Sequence, residues 1–232
     1  RFQFKKIINY SIIFIYLIII FFLWFGESRD SFATFLGLIS AGLAIAIKDP
    51  ITSLIAWLTI LISRNYYLEG DRIQIDNLRG DVVEITPLFT SIMEIGNWVD
   101  AEQSTGRIVQ LPNHKIFTSD VYNYNRKFPF IWEEYNILIT FESDYKHAKE
   151  ILSRISEQTL LDISNQAEKI YHEKLAKSTF VKYNNFQPII YTEIKDSGIE
   201  LSLRYLVEVR RRREFNMKIS EMVLDEFNAT TS

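Results

Sequence analysis

The feature that constrains this chain most is a nineteen-residue run, Ile7 to Phe25, that carries no charge and only Asn9, Tyr10, Ser11 and Tyr16 as polar or amphipathic members. As a helix rising about 1.5 Å per residue it covers roughly 28 Å, close to the bilayer's hydrocarbon thickness of about 30 Å. A helix that is apolar on every side belongs in lipid or in the core of a large protein. The apolar part of a secretory signal is shorter, and no small-x-small cleavage pattern follows Phe25. The run predicts a membrane span over residues 7–25.

Two further apolar stretches follow the polar break Gly26–Ser31. Phe32–Ile47 and Ile51–Ser63 are separated by Lys48-Asp49-Pro50. Proline lacks an amide donor and disfavours helix in the residue before it, so one helix is expected to kink at Asp49 and Pro50. The first stretch is rich in small residues, among them Gly37, Ala41, Gly42, Ala44 and Ala46, and the second in bulky ones. Small residues let helix backbones approach closely in lipid. Their dispersal over more than one face fits a helix with neighbours on two sides, as in a ring of copies. Leu38, Ala41, Ile45 and Lys48 fall at i, i+3, i+7 and i+10, on one face of a regular helix. In a ring that face lines a pore: Leu38, Ala41 and Ile45 form an apolar constriction, with Lys48 at its cytoplasmic mouth.

Charge gives the orientation. Residues 1–64 hold six Lys/Arg against three Asp/Glu, and the remainder holds twenty against twenty-six. Arg1, Lys5 and Lys6 precede the first span, and Lys48 and Arg64 lie beyond the turn back. The positive-inside rule then places the N-terminal flank and residues 65–232 in the cytoplasm. Arg64 and the pair Tyr66-Tyr67 suit an interfacial anchor. The start at Arg1 rather than Met reads as a piece of a longer protein.

After Leu68 the pattern becomes that of short strands. Turns are expected at Glu69-Gly70-Asp71 and at Asn77–Gly80. Alternating runs occur at Arg72–Ile75, Asp81–Ile85, Ser91–Ile95 and Arg107–Leu111, the last ended by Pro112-Asn113, and together they predict a small antiparallel barrel or sheet. Tyr135–Phe141 reads as a strand and Asp144 as the cap of a helix through Ile155. Leu160–Ala176 reads as a further helix. Pro188–Lys195 and Glu200–Val209 read as a hairpin about Asp196-Ser197-Gly198. Arg211–Phe227 reads as a final helix, completing an α+β layer.

Enzyme chemistry finds little support. The three histidines, His114, His147 and His172, lack metal-ligand spacing, and no cysteine offers a thiolate. No nucleophile elbow, Walker loop or dinucleotide fingerprint is present. The adjacent carboxylates Glu133-Glu134 point apart on a strand. The net charge of −3 does not fit a nucleic-acid binder. Arg210–Arg213 reads as the solvated start of the last helix, with anion binding as the functional alternative, because cations at a helix N-terminus are unfavourable.

The segment from Ser40 to Ala56, with Gly42, Ala44, Ala46, Asp49 and Pro50, resembles the pore helix and kink of the MscS family of mechanosensitive channels. Five further pieces follow in the family's order. They are Glu69-Gly70-Asp71-Arg72-Ile73, Gly80–Ile85, Thr90, Leu111-Pro112-Asn113 and Val121–Arg126. The resemblance implies a membrane protein with transmembrane α-helices and a kinked pore helix. A small Sm-like all-β domain and an α+β (ferredoxin-like) cytoplasmic domain follow. The boundaries would be 1–64 (span 7–25, pore helix 32–47, kinked continuation 51–63), 65–126 and 127–232.

It also implies a homoheptamer in the inner membrane that opens under tension and passes ions and small osmolytes. Its partners would be itself and membrane lipids, with no nucleic acid, no cofactor and no metal. Ile45 and Ala41 match the family's hydrophobic seal, and Asp49 its kink. The chain departs from the pattern in four places. Ala41 makes a small seal ring, and Lys48 is cationic where the family is often neutral. Leu160–Lys182 looks inserted, and no closing strand is visible after Phe227. Two other readings stay open: the same architecture gated by a ligand, and an Sm-like binding module on a membrane tether.

Overall fold

The computed structural model describes residues 2–25, 29–63, 65–100, 102–175 and 185–230. Much of the expected break at Gly26–Ser31, the anchor Arg64 and the end of the expected insertion lie outside them.

Proline chemistry sets the first landmark. Helix α1 spans Phe2–Phe25, α2 spans Arg29–Ala46 and α3 spans Lys48–Ser63. The bend between α2 and α3 is 46° and falls at Ile47, not at Asp49-Pro50. Pro50 acts one turn upstream of itself, because it withholds the donor that Ala46's carbonyl needs and its ring crowds that carbonyl. Backbone bonds from Ile47 to Leu43 (3.0 Å) and from Ile51 to Ile47 (3.2 Å) carry the helix through. Pro50 and Asp49 sit in the first turn of α3, where a missing donor is harmless and an acid is favoured. Among the described residues no single helix is long and apolar enough to cross a membrane. The bent pair Phe32–Ala46 and Lys48–Ser63 meets that test together, and Lys6–Phe21 is a shorter apolar helix.

The chain divides into two compact units, Arg1–Thr52 and Ser53–Ser232. In the first, the Phe21 ring packs on those of Phe32 (6.3 Å) and Phe35 (4.6 Å), joining α1 to α2.

In the second unit, a five-stranded antiparallel sheet runs in the order β4-β3-β2-β1-β5. Its strands are β1 (Arg72–Ile75), β2 (Leu78–Ile85), β3 (Phe89–Ile95), β4 (Ser104–Pro112) and β5 (Val121–Asn123). Ile73, Ile75, Val82, Ile92 and Leu111 form its core, completed by Ala56 and Ile60 of α3 and by Tyr67. Two sequence expectations change here. The β1–β2 turn is Asp76-Asn77, with Asp76 at φ 51°, and Gly80 lies inside β2. A Cβ on Gly80 would come within 2.3 Å of the Met93 carbonyl oxygen, so glycine serves the close approach of β2 to β3. Tyr67 is no interfacial anchor. It is fully buried and its hydroxyl has a partner in the core, as a buried tyrosine requires.

The remaining elements form a three-stranded antiparallel sheet in the order β6-β8-β7, with two helices. They are β6 (Phe130–Ile139), α4 (Tyr145–Ile170), β7 (Ile189–Lys195), β8 (Gly198–Glu208) and α5 (Arg212–Thr230). Asp144 caps α4 as expected, accepting from the backbone of Lys146 (3.0 Å) and His147 (3.1 Å). The two expected helices around Leu160 are one, because the buried stripe Ile151, Leu152, Ile155, Leu160, Ile163 and Ala167 keeps a single face. A π turn at Tyr171–Leu175 ends it. The order β-α-β-β-α matches the ferredoxin-like expectation for three strands, and no fourth strand pairs with β6 among the described residues.

Candidate functional site

The residues predicted to line a pore stand on one open face of α2. Leu38 is 69% exposed and Ile45 is 77%, and Ala41 between them is exposed too. At about 100° per residue this face turns away from Phe32 and Phe35, which receive α1. Gly37 and Ala44 lie along one flank of it. Gly42 and Ala46 lie along the other, further down the side that Phe35 begins. A Cβ built on Gly37 or Gly42 would meet nothing within 4 Å. Nothing inside the described chain therefore calls for glycine at either position, although each costs about 1 kcal/mol against alanine in a helix interior. Past the bend, Lys48 is exposed, and its carbonyl accepts from the Thr52 hydroxyl at 2.8 Å.

Beyond the bend, α3 is tied to the β domain. Ser53 is buried, and its Oγ meets His114 Nδ1 at 3.0 Å and accepts from the His114 backbone at 3.3 Å. His114 follows Pro112-Asn113, and this motif is the anchor of a buried polar knot. Asn113 Oδ1 accepts from Thr90 Oγ1 at 2.7 Å, and Asn113 Nδ2 donates to the Thr86 carbonyl at 2.7 Å. Thr90 also meets the Tyr67 hydroxyl at 3.1 Å. Thr90, Asn113 and Tyr67 are all fully buried, so each polar atom must find a protein partner. Burial raises the Tyr67 hydroxyl pKa above its ordinary value, against the Thr90 hydrogen bond. The motif thus holds the turn that presents His114 to Ser53. Sequence reasoning did not find Ser53, because one serine in an apolar helix carries no signal of its partner 61 residues away.

The Glu69–Arg72 motif closes the other end of the β domain. Gly70 has φ +86°, which glycine adopts without strain. Asp71 accepts from the Leu68 backbone (2.9 Å), from Asn123 (2.9 Å) and from Arg126 (3.3 Å). Arg72 forms a two-point ion pair with Asp81 at 2.9 Å. Burial pushes the Asp81 carboxyl up, but the Arg72 hydrogen bonds and charge, followed by Arg210, hold it below the ordinary aspartate range.

The arginine run joins the β domain to the α+β domain. Arg210 donates to the Gly70 carbonyl at 2.7 Å and meets Asp81 at 3.3 Å. Arg211 pairs with Glu214 at 2.8 Å and stacks on Phe215. Arg212 binds Glu133 of β6 and reaches Glu102 of the β3–β4 loop at 2.6 Å. Burial disfavours the Arg212 charge, but the two carboxylates outweigh it and raise its pKa. The run is therefore largely a set of domain ties; Arg210 and Arg213 are both exposed, and Arg213 takes part in none of these ties. Glu133 is buried and Glu134 exposed, so the adjacent carboxylates do point apart and share no site. His147 and His172 each lie 3.8 Å from a glutamate on their own helical segment. No group of three potential metal ligands comes together among the described residues.

Residues 49–126 match the family model described as the β domain of mechanosensitive ion channels. A MscS family protein of Archaeoglobus fulgidus is 28% identical over 189 residues, 71% of this chain and 62% of the relative. One of Buchnera aphidicola subsp. Schizaphis graminum is 24% identical over 132 residues, 57% of this chain and 43% of the relative. The matched region thus spans less than two thirds of either relative. Among solved structures, Helicobacter pylori MscS in a closed state aligns with a TM-score of 0.65 at 18% identity, over 98% of this chain and 78% of that one. Arabidopsis thaliana MSL1 aligns at 0.53 and 20% identity, over 86% and 62%. At such identities the likeness is one of fold.

Proposed function

The chain belongs to the MscS family of mechanosensitive channels, and from that premise we propose that it is one subunit of a homo-oligomeric channel, by family analogy a heptamer, opened by membrane tension. Copies of α2 surround a central path. Leu38, Ala41 and Ile45 face it and leave a constriction too apolar to stay wet when narrow. Gly37, Gly42, Ala44 and Ala46 receive the neighbouring helices on both flanks. The bend at Ile47, imposed by Pro50, turns α3 aside, and Ser53 and His114 fasten α3 to the β domain. Tension favours the state of larger area in the membrane plane, and the open path releases ions and small osmolytes across the cell membrane. Residues 65–232 lie on the cytoplasmic side.

What supports this reading best is the α2 face itself. Large apolar side chains stand exposed there between flanks whose glycines meet only open space. The test is patch recording of the purified protein in plain bilayers. Suction alone is expected to open it, and Ile45→Ser, which hydrates the constriction, should conduct at rest. A channel silent under suction defeats the proposal, and an Ile45→Ser variant no leakier than wild type removes Ile45 from the path.

One observation favours gating by a ligand instead. A cavity of about 670 Å³ at the junction of β5 and β6 is lined by Tyr122, Tyr124, Phe128 and Trp132 beside Arg126 and Lys127. That volume is ordinary for small-molecule sites. Silence under suction, broken by a small molecule, would support this second reading.

A further inference from the structure

Lys48 and Asp49 are the only charged residues between Phe32 and Ser63. An ionisable side chain in so apolar a stretch is costly unless it pairs or faces water. The two differ in what the local structure gives them. Asp49 sits in the first turn of α3, where an acid favours the helix. Lys48 begins the same helix, where a cation is unfavourable. Lys48 and Asp49 point roughly 100° apart around the axis and form no ion pair with each other. The Lys48 side chain is exposed and takes no carboxylate within reach among the described residues. Helical hydrogen bonding continues through Ile47, so Lys48 follows Ile45 by three residues on nearly the same face.

We propose that Lys48 sets the charge preference of the conducting path. This rests on the channel reading above. The ammonium groups of the copies gather at the cytoplasmic mouth and concentrate small anions there, both inorganic and carboxylate, so the open path passes anions over cations. Fixed charge of one sign in a low-dielectric mouth raises the local counter-ion concentration by about tenfold or more. The effect reaches about 30 Å at 0.01 M salt and only about 3 Å at 1 M.

The test is the reversal potential of suction-opened currents across a KCl gradient. The wild type is expected to favour chloride. Lys48→Gln should lower the chloride-to-potassium permeability ratio by about threefold or more at low salt, less at 1 M. Lys48→Glu should invert the preference, and Lys48→Arg should keep it. The chain has no cysteine, so Lys48→Cys supplies one thiol per subunit in an already assembled channel. A cationic methanethiosulfonate reagent should restore the anion preference there, and an anionic one should reverse it. Suction-opened currents whose reversal potential ignores both the substitutions and the reagents would overturn the role of Lys48 and leave the channel standing. Absence of any suction-opened current in the wild type would overturn both.

Discussion

Replacing Arg212 by methionine removes the cation that joins the β domain to the α+β domain and keeps most of its apolar length. The guanidinium lies between Glu133 and Glu102, whose side chains are 9% and 16% exposed. Without it the buried Glu133 keeps only the Asn216 amide at 3.3 Å and loses its cation, while Glu102 keeps only the 3.4 Å contact of the exposed Arg79. Removing one partner from a fully buried ion pair costs about 3–5 kcal/mol. Arg212 itself keeps 29% exposure, so solvent screens part of the interaction and the expectation falls to about 2–4 kcal/mol. At about 2–4 °C per kcal/mol for a chain of this size, the melting midpoint should drop by roughly 5–15 °C. The assay is thermal denaturation of the detergent-solubilised protein. Adding Glu133→Gln should recover part of the loss, because it removes one stranded charge. Arg212→Lys should fall between wild type and Arg212→Met, because an ammonium cannot grip two carboxylates as a planar guanidinium does. An Arg212→Met midpoint within a degree of wild type, or a double variant less stable than the single one, would refute this account of the junction.

Gly80→Ala should destabilise the β domain by about 1–3 kcal/mol, since its methyl would collide with the Met93 carbonyl and the Ile92 side chain; a midpoint unchanged on denaturation would show that β2 yields freely. A Cβ on Gly42 meets nothing within 4 Å among the described residues, so Gly42→Leu should leave the isolated subunit folded while assembly or tension threshold changes; an oligomer and threshold identical to wild type would remove Gly42 from any helix contact. The Asp81 carboxyl is held below its ordinary value in the folded protein, so its contribution to stability is full above about pH 4 and fades as pH falls toward that lower value. The stability gap between wild type and Asp81→Asn should therefore narrow on acidification, and a gap that stays constant down to about pH 2 would contradict the Arg72–Asp81–Arg210 tie.

What the sequence by itself determined is local. The apolar runs, the capping of α4 by Asp144, the hairpin at Asp196–Gly198 and the presence of a bend near Pro50 all follow from periodicity and backbone chemistry within a few residues. The face shared by Leu38, Ala41 and Ile45 is of the same kind. Tertiary structure decided everything that depends on a distant partner. Gly80 has the chemistry of a turn residue, and only the approach of Met93 places it in a strand. Tyr67 follows an apolar helix as an interfacial anchor would, yet Thr90 draws its hydroxyl into the core. Arg210–Arg213 looked like a solvated basic run until Gly70, Asp81, Glu102 and Glu133 arrived from elsewhere in the chain. Ser53 and His114 gave no signal of each other at all. The physical reason is the same in each case: a hydrogen bond or an ion pair is chosen by burial and geometry at closure, and neither is written in the spacing of neighbouring residues.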